Sequence, residues 1–160
     1  MSTPTISGQE RYDENLIKKL YKYTACDIAD ALLKLQVPNA GYISNLQPIT
    51  SKNITYTSAL TQKTSYPLIT IAPASTVIFS PKIKSPNDNT FYPQANIPSD
   101  THWVDLTQPE TILVMSQPNG QICAVLGGIM ALRMKVLDVK GVVVSGRVRD
   151  QLELASTNLP

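Results

Sequence analysis

The sequence lacks a long hydrophobic run. No apolar stretch approaches the roughly 20 residues that a bilayer-spanning helix needs, and the opening MSTPTISGQE is polar where a signal peptide would be apolar. Cysteine is scarce as well: Cys26 and Cys123 give neither a metal-ligand spacing nor a disulfide framework. Their apolar neighbours predict buried, unreactive thiols. We therefore expect a cytoplasmic protein that does not associate with membranes.

An excess of charge of one sign is also absent. The chain carries 14 Lys and Arg against 12 Asp and Glu, and the positive residues are scattered. Without a basic run or interleaved aromatic residues, we expect no nucleic-acid partner. What is present is 160 residues, 42% of them hydrophobic, which is enough for one domain with its own core. We predict a flexible leader over residues 1–12 and a single domain over 13–160.

The first half of the chain changes from helical to strand-like patterning. Thr24 and Asp27 form a capping box in front of a predicted helix over residues 27–35, and Ile28, Leu32 and Leu35 predict one buried face. Further on, β-rich segments interrupted by prolines favour antiparallel or edge strands over parallel core strands: residues 54–61, 68–71 and 76–79. Residues 82–100 contain Pro86, Pro93 and Pro98 and are predicted to form a long surface loop.

The second half predicts a β-α-β unit. A strand is expected over residues 111–117, a helix over 129–137 and a wholly apolar strand over 141–144. On the predicted helix, apolar spacing indicates a buried face made of Ile129, Leu132, Val136 and Leu137. The last strand leads into Arg147, Arg149, Asp150 and Glu153. Charged residues at the end of a buried strand are typical of α/β active sites, so we predict an α/β fold with its site here.

Gly127 and Gly128 mark the junction between strand and helix. Glycines let the backbone N–H groups of a helix N-terminus approach an anion, and here the donors would belong to Gly127, Gly128, Ile129 and Met130. For an isolated glycine pair, plain turn geometry is the more common explanation.

Arg149 and Asp150 are the candidate chemical groups. An arginine binds a carboxylate with two hydrogen bonds, and an aspartate binds Mg²⁺ together with water and substrate oxygens. The alternatives are a surface ion pair and a helix start in which Asp150 caps a helix from Gln151 onward. Glu153, one helical turn later, is expected to hold a metal-bound water or to be solvated. His102, the single histidine, favours a structural role.

The spacing between the glycine pair and the charged cluster resembles that of a known protein family. Gly128, twenty residues, Arg149 and Asp150, two residues, then Glu153 match the signature of the RraA-like family, and within it the class II 4-hydroxy-4-methyl-2-oxoglutarate aldolases. Several other positions resemble the family too: Thr24, Asp27, Ile28, Asp30 and Gly41 near the start, and Gln117, Pro118, Gly120, Ala124 and Gly146 in the second half. The resemblance covers nearly the whole chain after the leader, and the 82–100 loop resembles fungal-type members.

The resemblance implies a layered β/β/α swivelling domain, with N-terminal helices followed by a mixed sheet. It further implies a divalent-metal-dependent lyase that cleaves 4-hydroxy-4-methyl-2-oxoglutarate, or decarboxylates oxaloacetate, to pyruvate through a metal-stabilised enolate. By position, Asp150 would bind Mg²⁺ or Mn²⁺, Arg149 would bind the 2-oxo acid, and the backbone from Gly127 to Met130 would hold pyruvate oxygens. Arg149 and Asp150 are then the catalytic residues. A homotrimer, or a dimer of trimers, is implied as well.

Family members continue beyond the equivalent of Pro160, so we expect a chain that lacks its C-terminal part and has no closing strand or helix after the charged cluster. Two other functions stay open: a non-catalytic RraA-type regulator that acts through protein contacts, and an inactive truncated relative. The motif does not specify the physiological substrate.

Overall fold

The computed structural model describes residues 13–49, 69–81 and 94–160. The chain divides into two compact units, Met1–Ser44 and Asn45–Pro160. None of the helices in these described ranges is long and apolar enough to cross a membrane. Whether residues 13–160 act as a single domain stays a prediction.

The first unit contains two helices, α1 (Glu14–Leu20) and α2 (Ala25–Lys34), followed by a 3₁₀ turn at Pro38–Gly41. The predicted capping box at the start of α2 is confirmed. The Thr24 backbone N–H donates to Asp27 Oδ2 at 2.8 Å, and the Asp27 N–H donates to Thr24 Oγ1 at 3.3 Å. The carboxylate also accepts from the Thr24 hydroxyl at 2.7 Å, and the hydrogen bonds from the Thr24 backbone and then from its hydroxyl lower the pKa of Asp27.

The buried face predicted for α2 is not found. No residue of this helix is buried, and Ile28 and Leu35 are 38% and 73% exposed. Apolar periodicity gives the orientation of a face but not the element that covers it. Leu32 lies close to the following turn, since its Cδ1 is 3.1 Å from where a Cβ on Gly41 would stand.

The second unit is built on a parallel sheet of three strands in the order β1 (Ala74–Ile78), β2 (Ile112–Ser116) and β3 (Gly141–Ser145). The strands predicted over 111–117 and 141–144 are confirmed as β2 and β3. In register, Val77 lies opposite Met115, which lies opposite Val144. This parallel sheet with its connecting helix confirms the predicted α/β fold.

The segment predicted over 76–79 was expected to be an antiparallel or an edge strand. It is β1, which lies at the edge of the described sheet, so the edge alternative is confirmed; its pairing with β2 is parallel. Pro73 and Pro81 flank β1 and leave its paired residues intact, so the prolines limit the length of the strand without changing its direction. The Ile112 N–H still donates to Pro73 O at 2.8 Å. Residues 69–71 form no strand, while the segments 54–61 and 82–93 lie outside the described residues.

Helix α3 (Gly128–Val136) connects β2 to β3, but the face predicted to be buried was wrong. Gly128, Ala131 and Met134 are buried. The residues expected inside are largely exposed: Ile129 77%, Leu132 57% and Val136 69%. The small residues Gly128 and Ala131 allow α3 to approach its neighbours closely, and larger apolar residues at these positions would prevent that.

Helix α4 (Gln151–Thr157) follows the charged cluster, so the expectation of no closing helix was wrong. Its Leu154 joins a core in which Leu113, Met115 and Met134 are fully buried. After α4 the chain runs back beside β3, where the Val142 N–H donates to Pro160 O at 2.8 Å.

Candidate active site

Two loops at the carboxyl ends of β2 and β3 lie side by side. The Val125 N–H donates to Arg147 O at 2.9 Å, and the Arg149 N–H donates to Leu126 O at 3.0 Å. Leu126 and Val148 form a single parallel bridge between these bonds. The ladder therefore fixes the backbone of Arg149 against the segment that leads into α3. This is the edge at which open parallel sheets bind their ligands.

Asp150 begins α4 without capping it. Its backbone is left-handed (φ 56°, ψ 48°), and its side chain makes no capping hydrogen bond to α4. The carboxylate turns instead toward the start of α3, where Oδ2 accepts from the Gly128 N–H at 3.3 Å. The alternative of a helix that starts at Gln151 is confirmed, but Asp150 does not act as its side-chain cap.

The Arg149 guanidinium lies beside this carboxylate, with Nε 3.7 Å from Asp150 Oδ2. Both side chains are substantially exposed, 75% for Arg149 and 45% for Asp150. At this distance and exposure the pair contributes little to stability. Both groups are therefore accessible to a ligand.

Both glycines lie close to the residues that face them. A Cβ on Gly127 would stand 2.9 Å from Asp150 Oδ2 and 3.1 Å from Arg149 Nε. A Cβ on Gly128 would stand 2.6 Å from the Cβ of Glu153. Plain turn geometry does not account for these glycines, because both have ordinary backbone conformations and the constraint comes from the residues that face them.

The first turn of α3 supplies the backbone donors that the sequence predicted. The first hydrogen bond within the helix runs from the Ala131 N–H to Gly127 O at 3.1 Å, so the N–H groups of Gly128, Ile129 and Met130 precede it. One of these donors, that of Gly128, is already engaged by Asp150. Fewer backbone N–H groups are therefore left to bind an anion than the sequence predicted.

A cavity of about 260 Å³ opens beside Arg149. It is lined by residues from four parts of the second unit: Phe79, His102, Trp103, Cys123, Ala124, Val125, Leu126, Gly127, Met130 and Arg149. The Phe79 and Trp103 rings meet edge to face, with centroids 6.2 Å apart. Sequence reasoning missed these aromatic walls, because Phe79 and Trp103 are distant from the motif along the chain and carry no local signal of a site.

His102 has the structural role that the sequence favoured. Its Nδ1 accepts from the Val104 N–H at 3.2 Å and caps the short 3₁₀ helix Trp103–Leu106.

The prediction that both cysteines are buried was wrong, since Cys26 and Cys123 are exposed. The apolar run around Cys123 crosses the surface instead of forming a core strand, and its Ile122 is 91% exposed. Gln117 Nε2 holds this loop by donating to Cys123 O at 2.8 Å.

The oxygen ligands near Arg149 fit a magnesium-type ion. Among the described residues there is no group of three His, Cys, Asp or Glu side chains that could hold a metal. Zinc sites need three or four such ligands. Mg²⁺ keeps several waters and uses one or two carboxylates together with ligand oxygens. The exposed carboxylate of Asp150 suits that requirement, and Glu153 lies one turn later on α4.

The fold is that of an α/β protein, and the candidate site lies at the carboxyl edge of its parallel sheet. The chain belongs to the RraA-like family, described as Aldolase/RraA, whose model matches residues 25–160. The predicted family membership is thus confirmed.

One solved structure supports the fold. It is the crystal structure of an uncharacterized protein from Pseudomonas syringae pv. tomato str. DC3000, with a TM-score of 0.64 and 17% sequence identity. The match covers 100% of this chain and 59% of that one, so the present chain spans less than two thirds of the neighbour's length. No curated protein matches the sequence.

Proposed function

We propose that the protein is a divalent-metal-dependent lyase that releases pyruvate from a short 2-oxo acid. Aldol cleavage of 4-hydroxy-4-methyl-2-oxoglutarate and decarboxylation of oxaloacetate, as in class II aldolases of the fungal type, are the candidate reactions. The observation that carries the proposal is the position of Asp150, which begins α4 while its carboxylate faces the first turn of α3 beside Arg149.

Each group at the site has a role in this proposal. Arg149 binds the substrate carboxylate through its guanidinium, which presents paired donors to two carboxylate oxygens. The N–H groups of Ile129 and Met130 at the start of α3 orient the remaining pyruvate oxygens. Asp150 holds the cation, and Glu153 orients a water that the cation binds. When bound, Mg²⁺ or Mn²⁺ supplies Lewis-acid polarisation of the keto group.

Decarboxylation of oxaloacetate makes the fewest demands on the described residues. The bond between C3 and C4 breaks, CO₂ leaves, and C3 takes up a proton that water can deliver. The electron pair of the broken bond would pass to C3 and the keto oxygen, which the cation held by Asp150 would polarise. No general base is required, and Arg149 would only have to bind the substrate carboxylate. Aldol cleavage additionally requires a group that removes the proton from the C4 hydroxyl.

We also propose self-association into a homotrimer or a dimer of trimers. The exposed apolar row Ile129, Leu132 and Val136 on α3 supports a protein interface, since such rows are usually covered. Analytical ultracentrifugation tests this, and a monomer at micromolar concentration would contradict it.

Pyruvate release is the test of the proposed activity. Oxaloacetate and 4-hydroxy-4-methyl-2-oxoglutarate are supplied to the wild-type chain with Mg²⁺ or with EDTA, and pyruvate is followed by a coupled assay. Turnover is expected with Mg²⁺ and not with EDTA. Arg149→Gln is expected to lower kcat/KM by about 100-fold, because a charge-assisted hydrogen bond of roughly 1.5–3 kcal/mol is lost.

Arg147→Gln is the matched control. Arg147 lies two residues earlier and lines a different cavity with Gln117 and Ser145, so its replacement should leave pyruvate release unchanged. Equal losses in both variants would contradict the assignment of Arg149. A folded wild-type chain without turnover would favour the regulator, and a poorly folded chain would favour the inactive truncated relative.

A further inference from the structure

We propose that Gln117 is a positioning residue whose side-chain amide holds Arg149 and Asp150 toward the first turn of α3. The amide joins the two loops that follow β2 and β3, with one polar atom bonded to each loop. Its effect on pyruvate release rests on the proposed function, whereas its effect on the two loops does not.

Both polar atoms of the Gln117 side chain are used. Oε1 accepts from the Arg147 backbone N–H at 2.9 Å, and Nε2 donates to Cys123 O at 2.8 Å. Because the first partner can only donate and the second can only accept, the two bonds also determine the orientation of the amide. A side chain of similar length without the amide, such as methionine or ionised glutamate, cannot make both bonds.

The sheet fixes the point from which this side chain starts. The Gln117 backbone N–H donates to Ser145 O at 2.8 Å, one residue beyond the end of β2. Gly146 lies directly against the side chain, since a Cβ there would stand 2.8 Å from Gln117 Cβ and 2.9 Å from Oε1. A side chain on Gly146 would therefore displace the amide.

A short backbone ladder connects Gln117 to the site. Arg147, whose N–H is bonded to Gln117, accepts at its carbonyl from the Val125 N–H at 2.9 Å. Two residues after Arg147, the Arg149 N–H donates to Leu126 O at 3.0 Å. Loss of the amide removes the hydrogen bonds at the far end of this ladder. Separation of the loops there would move Arg149 away from the start of α3.

The backbone ladder matters because the side chains at the site hold one another weakly. Arg149 Nε is 3.7 Å from Asp150 Oδ2, and the hydrogen bond from the Gly128 N–H to the same oxygen is 3.3 Å long. The positions of both side chains therefore depend on the backbone that carries them. A displacement of about 1 Å at a reacting group can lower a rate by about 100-fold.

Hydrogen exchange resolved to single amides tests the positioning in the full chain, as wild type and as Gln117→Met. Methionine keeps the length of the side chain and removes both hydrogen bonds. We expect the amides of Val125, Arg147 and Arg149 to be protected at least about tenfold in the wild type. In Gln117→Met they should exchange at least about tenfold faster, while the amides of β2 and β3 keep their protection.

Gln121→Met is the matched control. It makes the same chemical change in the same loop, at a side chain that has no hydrogen bond among the described residues. Its exchange and its pyruvate release should be those of the wild type.

Pyruvate release from oxaloacetate measures the consequence for the site. Gln117→Met is expected to lower kcat/KM by about tenfold and to raise KM, because Arg149 is displaced from the substrate carboxylate. A smaller amount of folded protein would instead lower the apparent kcat and leave KM unchanged. Gly146→Ala displaces the amide without removing it, so it should give the same changes, and it tests the inference if Gln117→Met does not fold.

Unprotected amides in the wild type, or unchanged exchange in Gln117→Met, would overturn the inference. Faster exchange with an unchanged KM would overturn it as well, because Gln117 would then hold the loops without positioning Arg149 for the substrate. If the folded wild-type chain releases no pyruvate, the proposed function is wrong, and the exchange result alone decides whether Gln117 holds the two loops.

Discussion

Asp150 precedes the first residue of α4, but its carboxylate accepts a hydrogen bond from α3. Its left-handed backbone, with φ of 56°, costs of order 1 kcal/mol for a residue with a side chain. That conformation turns the carboxylate away from α4 and toward the Gly128 N–H of α3. The sequence predicted Arg149 and Asp150 through motif spacing, but spacing does not encode the φ angle that aims the carboxylate.

Gly127→Ala tests the site at the scale of one methyl group. The backbone of Gly127 (φ −142°, ψ 178°) suits alanine, so the fold should be retained. The new Cβ would stand 2.9 Å from Asp150 Oδ2, and the flexible ends of Asp150 and Arg149 must move away. We expect pyruvate release to fall by at least about tenfold, with the free energy of unfolding changed by less than about 1 kcal/mol.

The control for this substitution is Gly120→Ala. Gly120 has φ of +77° and no atom within 4 Å of an added Cβ, so alanine there is strained without touching the site. It should cost about 1 kcal/mol in urea unfolding and leave activity unchanged. Full activity in Gly127→Ala would contradict the assignment of this turn.

At the scale of elements, the contact between α3 and α4 depends on Gly128. An added Cβ would lie 2.6 Å from the Cβ of Glu153, an atom fixed to the backbone of α4. Gly128→Ala must therefore push the helices apart, and we expect a loss of about 1–3 kcal/mol in urea unfolding. The double variant Gly128→Ala with Glu153→Gly removes the clash, so the two effects should be less than additive. Additive losses would contradict the direct contact.

A second element-scale prediction concerns the turn between α3 and β3. Lys140 Nζ lies 2.7 Å from Glu110 Oε1 and 3.0 Å from Asp138 Oδ1. The hydrogen bond from Lys140 lowers the pKa of Asp138, and hydrogen bonds to Glu110 and then Asp138 raise the pKa of Lys140. Asp138 therefore contributes stability that is present above its unfolded pKa of about 4 and is lost as pH falls through the lowered folded value.

For Lys140 the sign is the opposite. Its contribution is present below an unfolded pKa of about 10.4 and is lost as pH rises through the raised folded value. Asp138→Asn, which keeps a residue tolerant of φ +60°, should flatten the acidic side of the stability curve measured by urea unfolding. Because Lys140, Asp138 and Glu110 are exposed, 1 M NaCl should reduce the pH dependence of the free energy of unfolding of the wild-type chain. If Asp138→Asn left the acidic side of the stability curve unchanged, the ion pair between Lys140 and Asp138 would not contribute to stability as proposed.

The elements also show where sequence patterns are informative. Strands β2 and β3 were predictable because continuous β-branched runs are typical of buried parallel strands. The buried face of α3 was not, because its apolar residues lie at positions that suit two different faces. Gly128, Ala131 and Met134 are the smaller or more adaptable set, and their burial depends on close approach to α4 and to the 3₁₀ helix Trp103–Leu106, which the sequence of α3 alone does not reveal.

At the scale of the whole molecule, motif spacing predicted the family, which is confirmed, and it placed the candidate site near Arg149 and Asp150. The residues that line the cavity beside Arg149 depend on the tertiary structure. Phe79 and Trp103 reach the cavity from segments 70 and 46 positions before Arg149, and only the sheet order brings them there. The chain spans 59% of its structural neighbour. Its activity is therefore a property to be measured on this chain directly.

The most direct measurement of the central claim is binding of Mn²⁺, followed by electron paramagnetic resonance, to the wild-type chain and to Asp150→Asn. Asparagine retains the size of the side chain and tolerates the left-handed backbone, and Asp150 makes no capping bond that α4 would lose. The proposed function predicts about one bound Mn²⁺ per chain in the wild type and at least about tenfold weaker binding in the variant. Equal Mn²⁺ binding by a folded Asp150→Asn chain would contradict it.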